Sequence, residues 1–296
     1  MSFNSYPLLK SIFTYFGRIS VRRRQRWGAV LGWLTHKLAS RRRHIVRTNL
    51  ALCFPDESES TRRAWERQHF RLLAQSYLDR GLLWFGLPST ILNTLELTGE
   101  EYITHALEQG RRVMLLVPHF LGMDAAGTRL SMSISPLVAF YTPQRDPSVD
   151  KLMLEGRSRF STAPLISRKD GIRGLMRALQ KGQPIYYLPD MDFGIKGAAF
   201  VPFFNVPAAT LLTTAQIARN QDAVVIPVIS RLNAQSGHYQ IQVLEPMADF
   251  PGQDSLEEAT ARMNALIEKY VRQDPTQYYW VHRRFKTRPE GQARIY

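Results

Sequence analysis

At 296 residues, with 44% hydrophobic and 22% charged residues and no repeat or low-complexity tract, the sequence is that of a globular protein of one large domain or two small ones. Its single cysteine, Cys53, excludes a disulfide framework and a cysteine metal cluster. The net charge of +14 is gathered at the ends: Met1 to Arg80 hold 16 Lys and Arg against 5 Asp and Glu, and His282 to Tyr296 hold 5 against 1. Basic ends on a near-neutral body imply docking on something anionic, whether a membrane, a nucleic acid or an acidic protein.

Tyr6 to Ile19 carries Leu8, Leu9, Ile12, Phe13, Phe16 and Ile19 at helical spacing, interrupted by Lys10 and Arg18. Its uncharged stretch falls far short of the roughly 20 residues that cross a bilayer, so no transmembrane helix is expected, and no signal peptide is apparent. Arg22, Arg23, Arg24 and Arg26 follow, then a second amphipathic stretch with Trp27, Val30, Leu31, Leu34 and Leu38 on one face, then Arg41 to Arg43. Apolar faces bracketed by arginines fit helices lying in a membrane interface. The alternative is a pair of ordinary helices packed on the body with a solvated basic face. Ile45 to Phe54 continues helical as far as Pro55. Asp56 to Glu59 reads as a capping box opening a helix through Trp65, Phe70, Leu73 and Tyr77 to about Phe85, closed by Gly86 and Pro88.

Beyond this point the pattern changes to alternating strand and helix. Strands are expected at Ile91 to Thr98, Val113 to Val117, Leu137 to Tyr141, Pro164 to Ser167, Ile185 to Leu188, Ala223 to Ile229 and Tyr239 to Leu244. Helices are expected at Glu100 to Gln109, Ser148 to Phe160, Ile172 to Gln180, Ala208 to Arg219 and Ser255 to Val271. The alternation predicts an α/β fold, a mainly parallel mixed sheet flanked by helices, preceded by a basic amphipathic helical region. Residues 1–88 are assigned to that region and 89–296 to the α/β domain.

Arg111 to Gly127 carries the chemistry. The apolar strand Val113 to Val117 ends at Pro118 and delivers His119, with Asp124 five positions later, at the carboxyl end of a strand, where open α/β sheets place their ligands. A carboxylate in so apolar a neighbourhood requires a partner, and the imidazole is the nearest in sequence. The pair reads either as a general base with its orienting carboxylate or as a strand-end histidine satisfied by a helix-capping aspartate. Leu188 to Gly194, L-P-D-M-D-F-G, follows a strand just as Pro118-His119 does and so should open at the same edge of the sheet. Asp190 or Asp192 could orient an acceptor or fix a basic residue that does; D-x-D-x-G is also good turn chemistry. Arg157, Arg159 and Arg168, with Lys169, could grip phosphates, or be solvated surface residues. His282, Arg283 and Arg284 either extend this basic field or form a solvated tail. The remaining histidines, His36, His44, His69, His105 and His238, read as structural. No G-x-S-x-G, Walker loop, H-E-x-x-H, dinucleotide G-x-G-x-x-G or paired C-x-x-C is present, which argues against a covalent serine enzyme, a nucleotidase and a zinc hydrolase. No cofactor and no metal are expected.

Several segments together resemble the late acyltransferases of lipid A biosynthesis, within the lysophospholipid acyltransferase superfamily marked by H-x-x-x-x-D/E. They are R-x-N-L-x-L-C-F-P at Arg47 to Pro55, H-F-L-G-M-D at His119 to Asp124, E-G-R-S-R-F at Glu155 to Phe160, L-P-D-M-D-F-G at Leu188 to Gly194, V-P-F-F-N-V-P-A-A-T at Val201 to Thr210, and W-V-H-R-R-F-K-T-R-P at Trp280 to Pro289. The resemblance implies transfer of a fatty acyl chain from acyl carrier protein to a hydroxyl of a phosphorylated, glucosamine-based lipid, with His119 as general base, Asp124 as its partner and no covalent enzyme intermediate. It further implies that Arg157, Arg159 and Asp190 are site residues and that the enzyme works at the cytoplasmic face of the inner membrane; with Arg168 and Asp192, read above from the residues themselves, they make up the expected substrate-binding set. Many family members carry an N-terminal span that Lys10, Arg18 and the arginine runs break here, which favours peripheral or monotopic attachment to the anionic leaflet. A glycerophospholipid or an amino-acid lipid is the alternative acceptor. A binding role without catalysis rests on charge alone, and the sequence has no nucleic-acid motif.

Overall fold

The computed structural model describes residues 5–296. Its elements run, in chain order, α1 (Tyr6–Arg18), α2 (Val21–Leu38), α3 (Ser40–Cys53), α4 (Glu59–Phe85), α5 (Pro88–Thr94), β1 (Leu95–Thr98), α6 (Glu101–Glu108), β2 (Arg112–Leu116), α7 (Met123–Ser133), β3 (Val138–Tyr141) and α8 (Pro147–Arg157). They continue with β4 (Ile166–Ser167), α9 (Arg173–Gln180), β5 (Ile185–Tyr187), β6 (Ala198–Phe203), β7 (Val206–Leu211), α10 (Thr213–Gln221), β8 (Ala223–Leu232), β9 (Tyr239–Val243) and α11 (Leu256–Gln273). Seven strands form one sheet in the order β1-β9-β8-β2-β5-β3-β4. From β8 to β4 neighbouring strands are parallel; β9 runs antiparallel to β8, and β1 runs with β9. The mainly parallel α/β sheet expected from the alternation is therefore present.

β2 sits near the middle, paired in parallel with β8 on one side and β5 on the other. Its side chains alternate between two apolar cores: Met114 and Leu116 face one, Val113, Leu115 and Val117 the other, all of them buried. Each such side chain stabilises the fold by about 1.5 to 3 kcal/mol, which holds the strand and whatever follows it in one place. The first core is closed by Leu50 and Phe70 of α3 and α4, Leu175 and Leu179 of α9, and Met263 and Ile267 of α11. The second is closed by Leu82 and Trp84 of α4, Ala126 and Leu130 of α7, and Leu152 of α8.

The N-terminal helices differ from the expectation in detail. α1 and α2 pack on α4 through glycine: a Cβ on Gly17 would sit 2.5 Å from the Gly81 carbonyl oxygen, and one on Gly32 2.5 Å from the Arg71 Cα. With the small residues turned inward, the large apolar ones are left outside, and Leu8, Ile12, Tyr15, Trp27, Val30, Trp33, Leu34 and Leu38 are all exposed. Arg24, expected among the basic residues facing outward, is instead buried. It donates to Asp79 Oδ1 at 2.6 Å and to the Ile19 carbonyl at 2.6 Å, while Tyr239 donates to Asp79 Oδ2 at 2.8 Å. The cap of α4 is Ser58, which accepts from the Thr61 amide at 3.1 Å, so the start of that helix lies beyond Asp56. No described helix is long and apolar enough to cross a membrane.

Two further corrections concern element boundaries, one after β5 and one ahead of β1. Ala208 to Arg219 is not one helix: β6 and β7 form an antiparallel hairpin, and α10 begins only at Thr213. The hairpin turns on Phe204 and Asn205, both at positive φ (52° and 59°), a two-residue turn of the primed kind without the glycine that usually announces it. Ile91 to Thr98 divides into the short helix α5 and the strand β1, because Pro88 at the first helical turn starts a helix before the strand can form.

Candidate active site

The parallel register sets Leu116 of β2 opposite Tyr187 of β5, and the Val117 amide donates to the Tyr187 carbonyl at 2.9 Å. Three residues past Leu116 and Tyr187, after a proline in both segments, come His119 and Asp190. Asp190 Oδ2 accepts from the His119 backbone amide at 2.9 Å, and Asp190 Oδ1 lies 2.6 Å from His119 Nδ1. An ionised carboxylate only accepts, so Nδ1 carries the proton and Nε2 keeps a lone pair. Burial alone would raise the Asp190 carboxyl; the His119 charge, its two hydrogen bonds and Arg284 outweigh burial and lower it. Tyr278 donates to the Asp190 carbonyl at 3.3 Å, fixing the same turn from the C-terminal segment.

Asp124 is placed differently from the expectation. It does not serve as the partner at Nδ1, which belongs to Asp190; it opens α7 and is held between two arginines. Arg80 of α4 donates to Oδ2 through Nε at 2.9 Å, with Nη2 at 2.8 Å. Arg157 of α8 donates to Oδ1 through Nε at 2.9 Å, with Nη2 at 2.8 Å. Burial pushes the carboxyl up, but Arg157 and Arg80 more than offset it and hold it at about 2. Two fork-shaped guanidiniums match the carboxylate better than one imidazole does, so the partner nearest in sequence loses to partners 44 and 33 residues away.

These groups open onto a cavity of about 570 Å³ lined by His119, Asp124, Arg80, Arg157 and Arg168 at its polar part and by side chains of α1, α4, α7, α8, β3 and β5 elsewhere. Leu9, Phe13, Trp84, Leu137, Phe140 and Met153 supply much of its apolar wall. Arg168 lies over the Phe193 ring, 3.6 Å from its centroid. Arg80 lies over Tyr77 at 4.1 Å, and the Tyr77 and Tyr279 hydroxyls meet at 3.0 Å. Three of these residues, Arg80, Tyr77 and Tyr279, were not singled out by sequence; the unmet charge of Asp124 was the one signal that could have directed attention to an arginine elsewhere in the chain.

The other expected site residues divide. Arg157 and Arg168 line the cavity. Arg159 lies over the Phe160 ring at 4.6 Å and does not line it. Asp192 is buried and engaged at both oxygens: it accepts from the Gly194 amide at 2.9 Å and from the Thr287 amide and hydroxyl at 2.6 and 2.8 Å, so it ties the C-terminal segment to the turn after β5. The C-terminal basic run is not a solvated tail. Arg284 is buried, donating to the Ala209 carbonyl at 2.9 Å and to the Thr210 hydroxyl at 2.7 Å. His282 Nε2 accepts from the Asp192 amide at 3.0 Å, and burial, then the charges of His119 and Arg284, lower its pKa to about 4. Asn49 donates to the carbonyls of Trp280 and His282, both at 2.8 Å, which joins the Arg47 to Pro55 segment to the Trp280 to Pro289 segment beside the site.

An imidazole backed by a buried carboxylate, opening on a largely apolar cavity with arginines at its polar part, is suited to general-base chemistry on a substrate with an apolar chain and an anionic head. The chain belongs to the family described as bacterial lipid A biosynthesis acyltransferase, which it matches over residues 12–287, and it is therefore an acyltransferase of lipid A biosynthesis. It is 37% identical over 267 residues to the lipid A biosynthesis lauroyltransferase of Escherichia coli (strain K12), covering 90% of this chain and 86% of that protein. To the palmitoleoyltransferase of the same organism it is 33% identical, covering 91% and 87%, and to the myristoyltransferase 31%, covering 87% and 79%. A looser likeness joins it to the crystal structure of the 1-acyl-sn-glycerophosphate (LPA) acyltransferase PlsC from Thermotoga maritima, at a TM-score of 0.39 and 12% identity over 83% of this chain and 95% of that one.

Proposed function

We propose that the protein moves a fatty acyl group from an acyl carrier protein thioester to a hydroxyl of a phosphorylated lipid A precursor, with His119 as general base and Asp190 as the carboxylate that orients it. The observation that carries the reading is the His119–Asp190 pair at the cavity, 2.6 Å from Nδ1 to Oδ1. His119 Nε2 takes the acceptor's proton as its oxygen attacks the thioester carbonyl. Asp190 stabilises the imidazolium that results. The tetrahedral intermediate then collapses to the ester, the C–S bond breaks, and the imidazolium returns the proton to the departing thiolate. Base catalysis of this kind contributes typically 10²- to 10⁴-fold. Asp124 acts at one remove, keeping Arg80 and Arg157 in place so that their outward N–H groups and Arg168 receive the phosphates or the developing oxyanion.

The same reading places α1 and α2 on the anionic face of the inner membrane. The exposed Leu8, Ile12, Trp27, Trp33 and Leu38 enter the headgroup boundary, and the exposed Arg18, Arg22, Arg23, Arg26 and Arg41 meet phosphates. Leu9 and Phe13 line the cavity from the same α1 whose Leu8 and Ile12 face outward, so lipid chains have a short path from the bilayer to the site.

The test is acyl transfer by the purified protein from a panel of acyl carrier protein thioesters to a tetra-acylated lipid A precursor, with wild type beside His119→Ala. Transfer that the substitution abolishes, with an unchanged circular dichroism spectrum, is the expected result. Activity within a few-fold of wild type would remove His119 as the base.

A further inference from the structure

We propose that Gly127 determines the length of the acyl chain the protein transfers, by keeping the cavity open past the first turn of α7. The inference rests on the acyl-transfer reading above. Among the described residues seven glycines lie inside α-helices, and six of them are required by packing: a Cβ at Gly17, Gly28, Gly32, Gly81, Gly156 or Gly174 would come within 3.0 Å of a neighbouring heavy atom. Gly127 is the exception. A Cβ there would meet the Tyr186 ring at 3.6 and 3.8 Å, ordinary contact distances, and its backbone is helical, so neither crowding nor strain calls for glycine. Glycine in a helix interior is destabilising relative to alanine, which makes this position locally unfavourable without a packing reason.

The cavity supplies the reason. α7 contributes Met123, Asp124, Gly127, Thr128 and Ser131 to the lining, a stripe along one helix face that leads away from His119. At the rise of an α-helix, Gly127 lies about 6 Å and Ser131 about 12 Å past Met123. Tyr186 of β5 also lines the cavity, facing Gly127, and its hydroxyl is tied to the Met123 carbonyl at 2.6 Å, so the ring cannot easily give way. A side chain longer than a methyl at position 127 would meet Tyr186 and have to turn into the cavity about one turn from the site, whereas one at 131 would fill only the next turn. Both reacting groups meet at His119; the stretch of cavity along α7 is assigned to the donor's chain, and the two arms of the test below separate donor from acceptor.

The test uses full-length wild type, Gly127→Ala, Gly127→Leu and Ser131→Leu in two arms. In the first the acceptor is fixed and the donor is an even-carbon ladder of saturated acyl carrier protein thioesters; in the second the donor is fixed and the acceptor's own chains vary in length. Gly127→Leu should move the preferred donor at least two carbons shorter, with each two-carbon overhang lowering kcat/KM by at least about tenfold. Ser131→Leu should shorten it less and Gly127→Ala least, and all four should rank the acceptors alike. Should Gly127→Leu not fold, as judged by circular dichroism, the graded shift in the other two variants carries the same test, and Gly127→Ala should melt no lower than wild type. An unmoved donor optimum in the folded variants, or a shift in acceptor ranking instead, overturns the proposal. Wild type that transfers from no rung of the ladder would remove the acyl-transfer reading and this inference with it, a result distinct from transfer with an unchanged optimum.

Discussion

Asp190, fully buried, and Asp124, partly buried, are two carboxylates at one end of one sheet, and they are paired in opposite ways. Asp190 pairs with an imidazole; Asp124 pairs with two guanidiniums, which stay charged. A carboxylate beside an imidazole responds when a proton moves. One clamped by two permanent cations is electrostatically fixed, and its work is to hold those cations in place. Proximity to His119 in sequence thus does not tell which aspartate pairs with it; the fold does.

The largest effect that sharpens this contrast is His119→Ala, expected to lower kcat by roughly 10²- to 10⁴-fold with the fold intact. Asp190→Asn should approach that loss and alter the pH dependence of kcat, because an amide no longer selects the Nδ1–H tautomer. Asp124→Asn should instead act on stability. It leaves Arg80 and Arg157 without their counter-charge, at a cost of about 3 to 5 kcal/mol readable in the denaturant midpoint. If Asp124→Asn reproduces the kinetic defect of Asp190→Asn with an unchanged midpoint, the assignment of the two carboxylates is reversed.

Acid titration separates the same groups by pH. The depressed pKa of Asp124 means that its contribution is fully present above the unfolded value of 3.8 and is lost only as pH falls through about 2. His69 and His282, lowered chiefly by burial from 6.5 to about 4, are neutral in the fold, so their contribution is present above 6.5 and drains away as pH falls toward 4. Each can account for up to roughly 3 kcal/mol across that window. Denaturant midpoints should therefore fall between pH 6.5 and 4 while the Asp124 clamp still holds, and a midpoint flat over that range would contradict the neutral burial of both histidines. The smallest effects lie at the surface. Arg23→Ala should weaken binding to anionic vesicles by about 1 kcal/mol and leave stability unchanged, whereas Arg24→Ala should lower stability because Asp79 loses its buried partner.

What the sequence determined by itself is whatever a few consecutive residues dictate. The run Val113 to Val117 made a buried strand, the prolines at 118 and 189 ended two strands alike, and the parallel order followed from alternation, so His119 and Asp190 could be placed at one sheet edge without coordinates. The tertiary structure alone decided what depends on distance through space. The Phe204-Asn205 turn lacks the usual glycine, so the β6–β7 hairpin was hidden behind an apolar helical spacing. Arg80 and Arg157 reached Asp124 from two other helices, because a buried charge is satisfied by the best geometry the fold presents and not by the nearest residue in the chain. Asp190 was left free for His119 by the strand register, a pairing that exists only once β2 and β5 lie side by side.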